Sequence, residues 1–158
     1  MDLVGVWRLV DLYALAEGTG ERTELLGANP SGYAVFESGG RMMAIVTAMN
    51  RTTGRSVPEM AELFLSIGAY SGKWSVDDEK FITVVDLAWD PSWVGTSQIR
   101  YYTFDGRILS LRTAPIELPA FPGRKAIAYA HWEREDRPAP DDVAHRDVWV
   151  ERRSAPVL

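Results

Sequence analysis

Gln98, Arg100 and Tyr102 alternate along one segment. In an extended strand their side chains project from one face, opposite Ile99 and Tyr101. That polar face is either a solvated surface or a row of donors lining a cavity. In a cavity, Arg100 is the natural group to hold a carboxylate, enolate or carbonyl oxygen, because a guanidinium presents its donors in a planar fork. Two carboxylates sit in apolar company. Asp11 lies among Leu9, Val10, Leu12 and Tyr13, and Asp86 lies within Phe81–Trp89. A carboxylate is expensive to bury unpaired. Each therefore faces water, the reading solvation favours, or pairs with an inward cation such as Arg100. If the protein is an enzyme, Arg100, Tyr102, Asp11 and Asp86 are the candidate catalytic groups, with Asp86 as the base.

What the chain lacks excludes other chemistry. Without cysteine there is no disulfide, thiolate nucleophile or cysteine metal site. The histidines are His131 and His145 alone, so no imidazole cluster can form and no metal is expected. No Gly-x-Ser-x-Gly elbow, phosphate loop or dinucleotide fingerprint occurs, so no cofactor is expected. A net charge of −5 with no basic stripe argues against nucleic acid. No apolar run approaches the roughly 20 residues of a membrane helix. The start of the chain lacks the features of a secretory signal. The expectation is a cytoplasmic protein that engages neither membrane nor nucleic acid.

The elements that must position these residues are mostly strands. A chain of 158 residues suits one domain and can build its own core. Strand-like runs occur at Val4–Ala14, Tyr33–Glu37, Arg41–Met49, Ala69–Val76, Phe81–Trp89, Thr96–Thr103, Ile108–Thr113 and Ala126–Arg134. Short turn signals at Ser38–Gly40, Asp77–Glu79 and Asp105–Gly106 separate several of them. Short loops imply sequential antiparallel neighbours, hence a meander. With Arg22–Leu26 as a further short strand or part of a connection, about eight to ten strands are expected. One helix interrupts them. Ser56-Val57-Pro58-Glu59 is a capping-box pattern, Met60, Leu63, Phe64 and Ile67 recur at helical spacing, and Gly68 can end the helix. The helix reads as a plug over an open barrel end, or as a lid. The plug is preferred, since it needs no second conformational state. The connection Ala114–Gly123 holds three prolines and Phe121 and is stiff. Residues 1–135 read as the domain and 136–158 as a tail. Its Val148-Trp149-Val150 suggests docking on the barrel or on a partner chain.

A meander of about eight strands closes into a barrel with room for one small ligand. Leu3–Val10 with its Gly5-x-Trp7, Asn29-Pro-Ser-Gly32-Tyr33, Gly40–Ala44, Tyr70-Ser-Gly72-Lys-Trp74, Trp93-Val-Gly95-Thr96-x-Gln98-x-Arg100 and Trp132-Glu133-Arg134 resemble, in order, the lipocalin-like domains of bacteria and fungi. The resemblance implies an antiparallel up-and-down β-barrel, a calyx closed at one end, with one short helix. In such a barrel the last strand runs antiparallel to the first, which brings Arg134 to Trp7; lipocalins commonly cover that tryptophan with an arginine.

By parity, an inward Trp7 places Leu9, Asp11 and Tyr13 inside. An inward Trp132 does the same for Ala126, Ala128 and Ala130, and turns His131 outward. The three alanines either leave a cavity or admit a close neighbour such as the helix. A one-residue bulge would reverse these assignments. The Gly95-to-Arg100 motif favours Gln98, Arg100 and Tyr102 inside. The resemblance implies a histidine, carried by many relatives, in the strand equivalent to Phe81–Trp89; here none is present. The resemblance implies binding of a small, mainly apolar molecule, with Tyr13, Tyr33, Met43, Trp74, Gln98, Arg100 and Tyr102 as contacts. The alternative is a cofactor-independent cyclase, isomerase or hydratase acting on a polyketide- or terpene-like substrate in specialised metabolism. A third reading is a homodimer formed through the Trp149 tail.

Overall fold

A computed structural model describes residues 3–135. The tail and its Trp149 lie outside the described residues. Ten strands form one antiparallel sheet: β1 (Gly5–Ala16), β2 (Arg22–Glu24), β3 (Ser31–Phe36), β4 (Arg41–Thr47), β5 (Ile67–Val76), β6 (Lys80–Ala88), β7 (Ser97–Phe104), β8 (Ile108–Arg112), β9 (Ile116–Glu117) and β10 (Lys125–Arg134). Eight of them follow one another around the wall and β1 closes on β10, while β2 and β9 are short additions beside β1 and β10. A closed wall leaves its strands no unpaired edge.

The two ends of the barrel differ because their connections differ. The tight turns β3–β4, β5–β6 and β7–β8 all fall at the end where β1 begins, and the long connections fall at the other. The tight end is sealed by a cluster of Leu3, Trp7, Phe36, Met42, Phe81, Leu109 and Trp132, each nearly or wholly buried. Phe36 and Phe104 meet the Trp7 ring at centroid distances of 6.4 and 5.6 Å. Trp7 pairs in register with Arg134, whose guanidinium carbon lies 4.5 Å from the indole centroid, and Arg134 Nη1 donates to the Val4 carbonyl at 2.9 Å. Gly5 adopts φ +141°, and a Cβ there would stand 3.3 Å from Arg134 Nη1, so the Gly-x-Trp spacing clears space for the arginine. The expected arginine-over-tryptophan floor is present.

Two bulges correct the parity reading. Leu9 pairs with Trp132 but Asp11 pairs with His131, so Val10 is an extra residue in β1. Inward positions then run Trp7, Leu9, Leu12, Ala14 and Ala16, and Asp11 and Tyr13 turn outward. In the second bulge, Ser71 pairs with Leu87 and Gly72 with Val85, leaving Asp86 as the extra residue of β6. Gly72 is needed where β5 and β6 cross closely, since a Cβ would approach the Val84 carbonyl oxygen to 2.1 Å.

The helix α1 (Val57–Leu65) forms as its capping box dictates. The Glu59 amide donates to Ser56 Oγ, and Glu59 Oε2 accepts from the Ser56 amide at 2.9 Å. It ends at Ser66, not Gly68, because β5 begins at Ile67. Arg51 satisfies this end, donating from Nε to Ser66 Oγ and from Nη2 to the Leu63 carbonyl. The plug reading fails. No residue of α1 is buried, and Met60 and Phe64 remain about half exposed. The stopper comes instead from the proline-rich connection, where Phe121 is fully buried against Ala14, Ala16 and Ala126. No helix among the described residues is long and apolar enough to cross a membrane.

Replacing Arg134 by methionine should lower the unfolding free energy by about 1–3 kcal/mol, through the loss of its cation–π contacts with Trp7 and Phe104 and of its hydrogen bond to Val4; urea denaturation followed by Trp fluorescence measures it. The Ser56 donors hold the Glu59 carboxyl down to about 2. A depressed folded pKa gives cap stability that is full above the ordinary value of 4.5 and fades as pH falls toward 2. An NMR titration of Glu59 should therefore show its midpoint near 2, and a midpoint near 4.5 would mean that the cap is open.

Candidate functional site

Between the aromatic floor and Phe121 the wall turns small. Leu12, Ala44, Val46, Ala128 and Ala130 face inward, yet each keeps accessible surface, whereas Trp7 and Leu109 at the floor keep none. Inward atoms that water can touch mark an interior space. The sequence leads to it directly, since Ala126, Ala128 and Ala130 alternate along β10 and share its inner face. Phe121 covers the outermost of them.

β7 supplies the polar side of this space. Thr83 pairs with Gln98 and Phe81 with Arg100 across β6 and β7, so Gln98 and Arg100 share the inner face with two buried residues. Arg100 Nη2 donates to Gln98 Oε1 at 3.0 Å, and Nη1 donates to the Ile99 carbonyl at 2.9 Å. Burial pushes the guanidinium pKa down, opposed by the nearby Tyr70. Burial pushes the Tyr70 hydroxyl up, opposed by Arg100. Thr83 Oγ1 is buried and has no hydrogen-bond partner. Tyr102 also faces inward, opposite Leu111, but its hydroxyl donates to the Asp77 carbonyl at 3.1 Å, toward the tight end. Trp74 packs into the floor, stacked on Phe81 at 5.7 Å, with Nε1 donating to the Glu37 carbonyl.

The remaining candidates face outward. Tyr13 follows the Val10 bulge onto the outer wall, and Tyr33 and Met43 alternate with the inward Ala34, Met42 and Ala44. Asp11 pairs with Arg22 at 3.0 Å. Asp86 pairs with Arg41 at 2.8 Å and accepts from Ser71 Oγ, two contacts that hold its carboxyl below the usual range. A carboxylate outside the barrel and committed to an arginine is no base for the interior. Among the described residues, no inward strand position carries Asp, Glu or His. Neither Tyr70 nor Thr83 was among the sequence candidates; Tyr70 shares the parity of Trp74 along β5, a signal that could have found it.

The outer wall carries two grooves of about 500 Å³ each. One is apolar and holds Tyr33, Val35, Met43, Ile45 and Leu87. The other holds Tyr13, Tyr101, Ser110, Arg112, Tyr129 and His131. His131 faces outward, as its parity with Trp132 required. Its Nδ1 shares a 2.8 Å hydrogen bond with Ser110 Oγ, and its ring stacks on Tyr13. Asp11, its neighbour in the β1–β10 register, is held by Arg22, so the serine–histidine pair lacks an orienting carboxylate. No group of three or more His, Asp or Glu suited to a metal ion occurs among the described residues.

The mouth of the barrel is aromatic on one side. Tyr70 meets Trp93 at 5.5 Å, Trp93 meets Trp89 at 5.0 Å, and Trp89 meets Phe64 of α1 at 6.0 Å. Trp89 Nε1 also donates to the Phe64 carbonyl at 3.2 Å. This chain of rings runs from the interior to the helix.

A search of curated proteins finds no match. The family model described as a lipocalin-like domain matches residues 4–135, which spans the whole barrel from the start of β1 to the end of β10. A closed eight-strand wall, a Gly-x-Trp floor under an arginine and a match over the complete barrel agree: the chain belongs to the lipocalin-like domain family.

Proposed function

We propose that this protein binds a small, mainly apolar molecule inside the barrel. The observation that carries the reading is the change in packing along the axis. Large aromatic side chains close the floor, while the inner wall above it is built from alanines, Leu12 and Val46 that keep accessible surface. Close-packed interiors do not leave such surface without a use. An apolar wall with a few placed polar groups is the ordinary make-up of a ligand pocket. The aromatic mouth at Tyr70, Trp93 and Trp89 suits the entry of the same kind of molecule.

Binding is favoured over a cofactor-independent cyclase, isomerase or hydratase. The two carboxylates that such a reaction would use, Asp11 and Asp86, are outside and paired. Arg100 remains inside and can polarise an oxygen, whereas the Tyr102 hydroxyl is already given to the Asp77 carbonyl. Proton abstraction from carbon needs a base, and the described inner wall offers no carboxylate or imidazole.

The neutral dye N-phenyl-1-naphthylamine should bind saturably, at one site, with a blue-shifted emission. Ala128→Leu and Ala130→Leu should each weaken it by about tenfold or more, since added methylenes in a filled space cost about 1–3 kcal/mol. Met43→Ser, in the outer apolar groove, should leave it unchanged. Uptake that never saturates, or that responds to Met43→Ser and to neither alanine variant, would overturn the reading; circular dichroism checks that the variants fold.

A further inference from the structure

If the interior is a binding site, its charge says what it accepts. Among the described residues, the charged side chains at inward strand positions are Arg134, under the floor, and Arg100, in the interior. Arg8, Arg22, Arg41, Arg107 and Arg124 each reach a carboxylate on the outer surface. Arg100 makes no such pair. Its hydrogen bonds go to two neutral oxygens, the Ile99 carbonyl and Gln98 Oε1, which orient the guanidinium without neutralising it. A cation withdrawn from water without a counter-charge is costly. Its lowered pKa has burial as the largest cause.

The wall beside Arg100 is tightly packed on β6. Thr83 sits directly across the β6–β7 register from Gln98, fully buried, with a hydroxyl that has no partner. Buried hydroxyls are normally bonded. Gln98 and Arg100 thus place donors on β7, opposite an apolar wall that carries no acidic side chain among the described residues, while the Thr83 hydroxyl is packed behind them. Nothing in this arrangement would welcome a second cation, and a wholly apolar guest would leave the arginine unanswered.

We propose that the ligand is a monoanionic amphiphile, an apolar body bearing one carboxylate or enolate group, with its oxygens held by Arg100 and flanked by Gln98. The proposal rests on the binding reading above and narrows it to a chemical class. The apolar body lies against Leu12, Leu111, Ala128 and Ala130. The charged head sits part-way down the barrel rather than at the mouth, because Arg100 pairs with Phe81 of the floor cluster.

The test compares three probes of one chain length below their micellar concentrations: dodecanoate, dodecan-1-ol and dodecyltrimethylammonium, each displacing N-phenyl-1-naphthylamine. Dodecanoate should bind at least tenfold more tightly than the alcohol, and the ammonium most weakly. Arg100→Met should reduce the carboxylate-to-alcohol ratio to about one while alcohol binding survives, and Arg100→Lys should keep part of it. If dodecanoate binds no better than the alcohol while the dye still binds, the anionic head is wrong and the binding reading stands. If neither dye nor any probe binds, both fall. A carboxylate preference that survives Arg100→Met intact would place the anion on an exposed arginine and also overturn the proposal. Should Arg100→Met not fold, the wild-type ratio together with Gln98→Leu, which removes the carbonyl that orients the guanidinium, decides: an equal ratio in wild type sinks it, and a ratio lowered by Gln98→Leu supports it.

Discussion

The ladder between β1 and β10 is the constraint on which the rest of the molecule depends. It joins the first strand of the domain to the last, so it converts a meander with two open edges into a wall with none. It also brings Trp7 beneath Arg134 and next to Trp132, which builds the floor. Its bulge at Val10 then decides which half of β1 shows which face. Below the bulge β1 contributes Trp7 and Leu9 to a packed core; above it, Leu12 and Ala14 line the interior while Asp11 and Tyr13 go outside. One inserted residue thus keeps a carboxylate out of the lumen, where burying it would be expensive.

The asymmetry of the two ends follows from loop chemistry. Turns of a few residues, with carboxylates of Asp77 and Asp105 accepting amide protons, draw the strands together at the floor. The long connections at the other end leave room for α1, for the turn carrying Trp93 and for the segment carrying Phe121. Large aromatics fill the tight end and alanines line the wide one. Less side-chain volume fills the wide end than the tight one. Arg100, the single interior cation above the floor among the described residues, then lies between a packed floor and an apolar wall, where the low local polarity strengthens any interaction it makes.

Much of the architecture was legible in the sequence. Alternation and turn residues marked all eight wall strands to within about two residues at most ends, because a strand's period and a turn's need for glycine or aspartate are local properties. The capping box marked the start of α1 for the same reason. Gly5, Trp7 and Arg134 marked the floor, and Gln98, Arg100 and Tyr102 lie on the inner face as their shared parity allowed. The end of α1 was misread because Ser66, backed by Arg51 from outside the helix, stops it before the glycine is reached.

Local order along the chain therefore determined the strands, the turns, the helix start and the family to which the barrel belongs. The tertiary structure alone decided the facing of Asp11, Tyr13 and Asp86, the placement of Phe121 in the mouth rather than α1, and the absence of a counter-ion at Arg100 among the described residues. The physical reason is that a bulge is a property of two paired strands, and an ion pair is a property of two side chains brought near by the fold. Neither has a signature in the residues of one strand read by itself.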